Sequence, residues 1–251
     1  LGAAASRNAL LVAWVLHATV LVWGISLLTR KRDLGKAKNK PKCRGIVAKS
    51  RAINYLSAAR LFLFGARDVW FVVALPVYLA SSLGWDNGYV GSFLALWIIA
   101  YGVVQTQAPR FTGKREGRVP DGKVAMGWAL VLALTPALIA LALHFDLHPA
   151  ISLVGGLMVF GALFAINSSL HSYLIVSYAG ADGVSLDVGF YYMANALGRL
   201  LGTLLSGLVF QLHGLEACLW LSTLFILLAA LISLGLPRHQ PPVSSNPHGV
   251  S

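Results

Sequence analysis

Acid is what this 251-residue sequence has least of: nine Asp and Glu stand against twenty Lys and Arg, a formal net charge of +11. Charge of either sign is scarce, at 12% against 57% hydrophobic residues, where a soluble domain carries about a quarter charged. That scarcity excludes an ordinary soluble chain. There are two cysteines, Cys43 and Cys218, which make neither a disulfide framework nor a metal-ligand pattern. His144 and His148 have no evident third ligand and adjoin Pro149, so they read as loop residues. No HExxH, GxSxG, P-loop or GxGxxG occurs, so the expectation is no enzyme, no cofactor and no metal. The eight lysines all lie in polar segments or at the ends of apolar ones. A retinal pigment, which needs a membrane lysine for its Schiff base, is thereby disfavoured.

Long apolar blocks fill the space. Seven run over about 9–29, 53–82, 89–108, 124–144, 149–178, 188–212 and 215–236, each reaching or exceeding the ~20 residues that a helix needs to cross a bilayer core. None alternates with period two, and all are too long for strands. Backbone in lipid must satisfy its own hydrogen bonds, which also favours helix. The sequence therefore predicts an all-α, polytopic membrane protein with seven transmembrane helices. Block 9–29 is followed by "TRKRDLGK", a stop-transfer flank and not a cleavage site. Pro76 and Pro136 fall inside the second and fourth helices and are expected to kink them, with neighbours satisfying the freed backbone groups.

The basic residues are placed by topology. Ten of the twenty lie between Arg30 and Arg51, and five between Arg110 and Lys123. Both clusters directly follow apolar blocks, as the positive-inside rule expects of cytoplasmic loops. The net charge thus implies lipid bilayer, not nucleic acid, as the partner. Apart from 179–187, basic loops alternate with loops that lack Lys and Arg. The N-terminus is then outside and the C-terminus cytoplasmic. The domain reading is a first helix in 1–29, a basic cytoplasmic loop over 30–52, a six-helix bundle over 53–236 and a disordered Pro- and Ser-rich tail over 237–251.

Three basic residues escape the loops: Arg60, Arg67 and Arg199 sit deep inside apolar blocks, as does one acid, Asp68. A charge at mid-bilayer depth costs at least ~2.5–3.5 kcal/mol, and such residues mark pathways by default. Arg60 is two turns before Arg67 and nearly on its face. Asp68 is turned away from Arg67 by about 100°, so each is expected to seek partners on other helices. Two readings stand: a polar pathway binding an anionic substrate, with Asp68 pairing to another helix or taking a proton, or a charge network that locks helices together.

In the sixth helix, Tyr192, Asn195, Arg199, Thr203 and Ser206 follow at spacings of three and four and make one polar stripe. This lines a cavity or glues helices. Gly198 and Gly202 form a G-x-x-x-G that permits close helix packing. Asn167 and His171, at i,i+4 in the fifth helix, and Trp97, Tyr101 and Gln105 in the third, read as interhelical hydrogen-bonding groups. His171 has a rival reading as a proton-coupling group.

Seven helices with a long basic loop after the first look like the back of a major facilitator transporter. Arg115, Gly117 and Arg118 in "GKREGRVP" resemble the R-x-G-R core of that superfamily's cytoplasmic loop motif, with Lys114 where the fuller motif has Asp. "NYLSAARLFLFGARDVWFVVALPVYL" and "GSFLALWIIAYGVVQTQAP" resemble the superfamily's bacterial organoarsenical efflux, or arsenate-resistance, branch. The resemblance implies that 1–29 is the sixth of twelve helices and that 53–236 is the C-terminal bundle. It also implies that the N-terminal bundle of the same protein is a partner encoded upstream. The implied function is alternating-access export of an anionic organoarsenical, 1-arseno-3-phosphoglycerate, made by a glyceraldehyde-3-phosphate dehydrogenase, across the bacterial inner membrane. Substrate binding would fall to Arg60, Arg67, Tyr192, Asn195 and Arg199, and proton coupling or charge pairing to Asp68 and His171. A permease for another solute and a seven-helix receptor or scaffold remain the alternatives.

Overall fold

In the computed structural model the described residues are 15, 18–26, 50–108, 120–179 and 184–237. The chain forms two compact units, Leu1–Lys42 and Cys43–Ser251. In the first, 18–26 is helical (α1). Val20, Leu21, Val22, Trp23 and Ile25 are all exposed, so this helix is apolar all round, as a lipid-facing segment is.

The second unit holds α2 (Arg51–Phe71), α3 (Ala74–Ser81), α4 (Asn87–Gln107), α5 (Gly122–His144), α6 (Pro149–Tyr178) and α7 (Val184–Ser233). No strand occurs among the described residues. Five helical spans, Arg51–Ser81, Asn87–Gln107, Gly122–His144, Pro149–Tyr178 and Ser185–Ser233, are long and apolar enough to cross a membrane. The last, at 49 residues, would exceed twice a ~30 Å hydrocarbon core if straight. It is not straight: Gly214, at φ 76° and ψ −173°, breaks it. Only glycine takes that left-handed backbone without strain. Among its described residues the unit therefore carries six membrane-length helical passes, at the six places read from the apolar blocks after 53. The parts of the 30–52 and 109–123 loops before Ser50 and over 109–119, the 180–183 connection and the 238–251 tail lie outside the described residues. So do Arg115, Gly117 and Arg118.

Contacts fix the directions. Arg60 meets Ser168, Phe64 meets Phe164 and Trp70 meets Phe160, so α2 and α6 run antiparallel. Asn167 donates to the Trp128 carbonyl while Gly156 lies against Ile139, so α5 opposes α6. Trp97 donates to the Leu157 carbonyl and Tyr101 faces Phe164, making α4 parallel to α6. Asn195 meets Arg60 and Ser206 meets Ala74, making the first half of α7 parallel to α2. The second half runs back, with Phe225 at Phe62 and Gly235 at Tyr55. Successive passes thus alternate in direction, as a chain threading a bilayer must. The core is aromatic and aliphatic, centred on Trp70, Phe160, Phe164 and Leu63.

The proline expectations divide. Before Pro76 the helix opens at Val72–Val73, separating α2 from α3. Ala74 then donates its N–H to the Ser206 hydroxyl at 3.1 Å, replacing the carbonyl it lost. At Pro136, α5 runs on unbroken. Proline cannot donate to the carbonyl four residues back, and the Thr135 hydroxyl takes that place, donating to the Leu132 carbonyl at 2.7 Å.

Candidate functional site

The site is built where α2 and α7 touch. Gly198 lies against Leu61, and a Cβ there would overlap the Leu61 carbonyl. A Cβ on Gly202 would come within 2.6 Å of the Gly65 carbonyl oxygen and 3.1 Å of the Asp68 Cβ. The two helices meet backbone to backbone through the G-x-x-x-G. That close approach brings Arg199, next to Gly198, within reach of Asp68.

Asp68 and Arg67 fall at the middle of the Arg51–Ser81 span, and Arg199 falls midway between Ser185 and Gly214. The Asp68 carboxylate, 1% exposed, takes Arg67 Nε on one oxygen at 2.6 Å and Arg199 Nε on the other at 3.1 Å. The expectation that Arg67 and Asp68 cannot pair within their helix is therefore corrected. A long guanidinium arm bends around the 100° between neighbours, and a carboxylate at full burial draws it in. The expected partner on another helix is Arg199. Arg67 is 15% exposed and Arg199 54%, so both guanidiniums reach the bundle surface while the acid between them does not.

Arg60 is held differently. It is 4% exposed. Its Nε donates to Asn195 Oδ1 at 3.2 Å and its Nη1 to the Ser168 carbonyl at 3.1 Å. Its guanidinium carbon lies 3.9 Å from the Phe64 ring centre and 5.0 Å from that of Tyr191. Arg60 thus ties α2 to α6 and α7 in one side chain. Arg67 sits over two rings, Phe64 at 5.1 Å and Phe164 at 5.3 Å. Aromatic faces carry partial negative charge and stabilise cations, most strongly where water is excluded.

Among the described residues the remaining acids stand away from mid-span. Asp86 and Asp121 cap the starts of α4 and α5 by accepting from backbone N–H groups. Glu216, just past the Gly214 break, faces His144 at 3.3 Å. Asp146 lies in the turn between α5 and α6 and Asp187 in the first turn of α7. Within the apolar spans, among the described residues, there are thus three guanidiniums, Arg67 and Arg199 at mid-span and Arg60 two turns toward the start of α2, against one carboxylate.

Of the polar stripe on α7, Asn195 reaches Arg60, Arg199 reaches Asp68 and Ser206 reaches the helix break. Tyr192 is 52% exposed and turned outward from the bundle. His171 is buried, one turn along α6 from Asn167. Its Nδ1 has no hydrogen-bond partner among the described residues. Asn167 and Trp97 serve as interhelical donors, as their spacing implied. Sequence reasoning missed Phe64, Phe164 and Tyr191. An aromatic four residues after one arginine and three before the next was the available signal for Phe64.

Ionisable groups inside a helical membrane bundle mark substrate or ion pathways among their common roles. The family model of the Major Facilitator Superfamily matches residues 56–250. The chain belongs to that superfamily and is a multi-pass membrane transporter of the major facilitator type. A comparison with curated proteins finds no match.

Proposed function

We propose that this chain forms part of a permease that exports an organic anion by alternating access. The single observation that carries the reading is the charge imbalance inside the spans: among the described residues, Arg60, Arg67 and Arg199 against Asp68 alone. Uncompensated positive charge at that depth is costly, and an anionic substrate supplies the missing charge. Arginine suits the task because it stays ionised in a dry site and grips phosphate-like oxygens in pairs. Arg67, Arg199 and Tyr192 keep the exposure that lets them meet the substrate, and Arg60, buried and bonded to Asn195, completes the positive site behind them. Asp68 acts as fixed counter-charge, since guanidiniums engage both of its oxygens. His171, buried and near Arg60, is the proton-coupling candidate.

The strings around Arg60 and Arg67 support a narrower reading. By their resemblance to the organoarsenical efflux branch, the substrate is 1-arseno-3-phosphoglycerate, supplied by a glyceraldehyde-3-phosphate dehydrogenase, and the outcome is arsenate resistance. The chain then sits in a bacterial inner membrane with its C-terminus cytoplasmic, and an N-terminal bundle of the same protein faces the Arg199 side. Arsenate tolerance of a sensitive strain carrying the full chain and the dehydrogenase tests this. Tolerance that disappears with Arg67→Ala is expected. A strain that stays sensitive despite normal membrane insertion overturns the organoarsenical reading.

A further inference from the structure

The three arginines are not equivalent, and what separates them is one ring. Arg60 and Arg67 are seven residues apart on α2, two turns, and Phe64 lies between them in the helix. The Phe64 ring is 3.9 Å from the Arg60 guanidinium carbon and 5.1 Å from that of Arg67. It is buried and braced by Phe164, edge to face at 5.1 Å. Beside Phe64, Arg60 is closed in by Asn195, the Ser168 carbonyl and Tyr191. Among the described residues Arg67 hydrogen-bonds only through its Nε, to Asp68. It retains exposure, and so does Arg199.

We propose that Phe64 is the positioning residue of the anion site, dividing the positive cluster into a buried anchor, Arg60, that never meets substrate and an exchangeable pair, Arg67 and Arg199, that grips it. This deepens the anion reading above and rests on it. The ring face stabilises both like charges at short range, which two arginines on one helix face otherwise resist. Arg60 contributes a fixed positive potential from behind the ring and fastens α2 to α6 and α7. With its neighbours locked, Arg67 holds its plane, so its free N–H groups present a directed fork to an anion instead of a mobile charge. The α7 glycines place Arg199 on the other oxygen of Asp68, so the fork is two-armed. A small substrate with an anionic group of phosphate type fits two such arms. A neutral polyol does not.

Binding to the full chain in detergent tests this by isothermal titration, with 3-phosphoglycerate as probe and glycerol as the uncharged control, and with a thermal midpoint recorded for each variant. The wild type is expected to bind 3-phosphoglycerate and not glycerol. Phe64→Leu is expected to weaken binding about tenfold, and Phe64→Tyr, which keeps the ring, to restore most of it. Arg67→Lys loses the fork and is expected to weaken binding about tenfold with little change in midpoint. Arg60→Lys keeps charge but not both hydrogen bonds, so it is expected to lower the midpoint more and weaken binding less. No anion binding by the wild type overturns the anion reading and this inference with it. Wild-type binding with Phe64→Leu at an unchanged Kd overturns this inference alone. So does Arg60→Lys losing as much affinity as Arg67→Lys, a comparison that stands even where Phe64→Leu does not fold.

Discussion

Asp68 is the residue on which the centre balances. Its two oxygens hold Arg67 and Arg199, and removing one partner from a buried ion pair costs about 3–5 kcal/mol because the other charge stays behind. Arg199 is half exposed, so the lower end applies. Asp68→Asn is expected to destabilise the bundle by on the order of 3 kcal/mol in chemical denaturation, and Arg67→Gln added to it to return part of that loss. A double variant no more stable than Asp68→Asn would contradict the pairing. Asp68 as fixed counter-charge also predicts that the pH profile of transport keeps its shape in Asp68→Asn. A flattened profile would make it the proton carrier instead. The charges themselves were legible in the sequence, because an arginine or aspartate inside an apolar block stands out. Their pairing was not. The angle between adjacent helical positions suggested separation, and side-chain length overrode it.

At the level of the helix, glycine position decides whether α2 and α7 can meet. Without a hydrophobic force between helices in lipid, close packing does the joining. Gly202→Ala puts a methyl 2.6 Å from the Gly65 carbonyl, so a loss of about 1–3 kcal/mol is expected. Gly207→Ala, whose Cβ would meet nothing within 4 Å, is expected to be neutral. Equal midpoints for the two variants would refute the close approach. The α2–α3 break makes a second element-scale claim. The Ala74 N–H has Ser206 as its acceptor, and an orphaned buried donor costs about 1–3 kcal/mol. Ser206→Ala is expected to speed amide exchange at Ala74 by about tenfold or more, and unchanged exchange would remove Ser206 from that role. The sequence showed the G-x-x-x-G and the breaking power of Pro76. It could not show which helix the glycines face or which hydroxyl closes the break, since both depend on how distant segments pack.

For the whole molecule, apolar length told most of the story. Six blocks after residue 53 became six passes, and the "HGLEA" connection proved to turn at Gly214. The membership of the Major Facilitator Superfamily follows from the match over 56–250, in line with the resemblance read from the helix count and the basic loop. Substrate identity was less legible, because it depends on where a few side chains converge across three helices. Arg60 illustrates this: an arginine like its neighbours in sequence, it is closed in by the Phe64 ring and by contacts from α6 and α7. Charged loops and apolar blocks give a topology. The chemistry at the centre comes from tertiary contact.

Arg67 and Arg199, at mid-span on either side of Asp68, are expected to meet an anion. The most direct measurement is counterflow in proteoliposomes holding the full chain, comparing labelled 3-phosphoglycerate with labelled glycerol in the wild type and in Arg67→Ala. Exchange of 3-phosphoglycerate over glycerol is expected, lost by about tenfold or more in Arg67→Ala while the variant keeps its wild-type elution in detergent. Equal rates for the two solutes, or an Arg67→Ala protein that exchanges 3-phosphoglycerate at the wild-type rate, would contradict it.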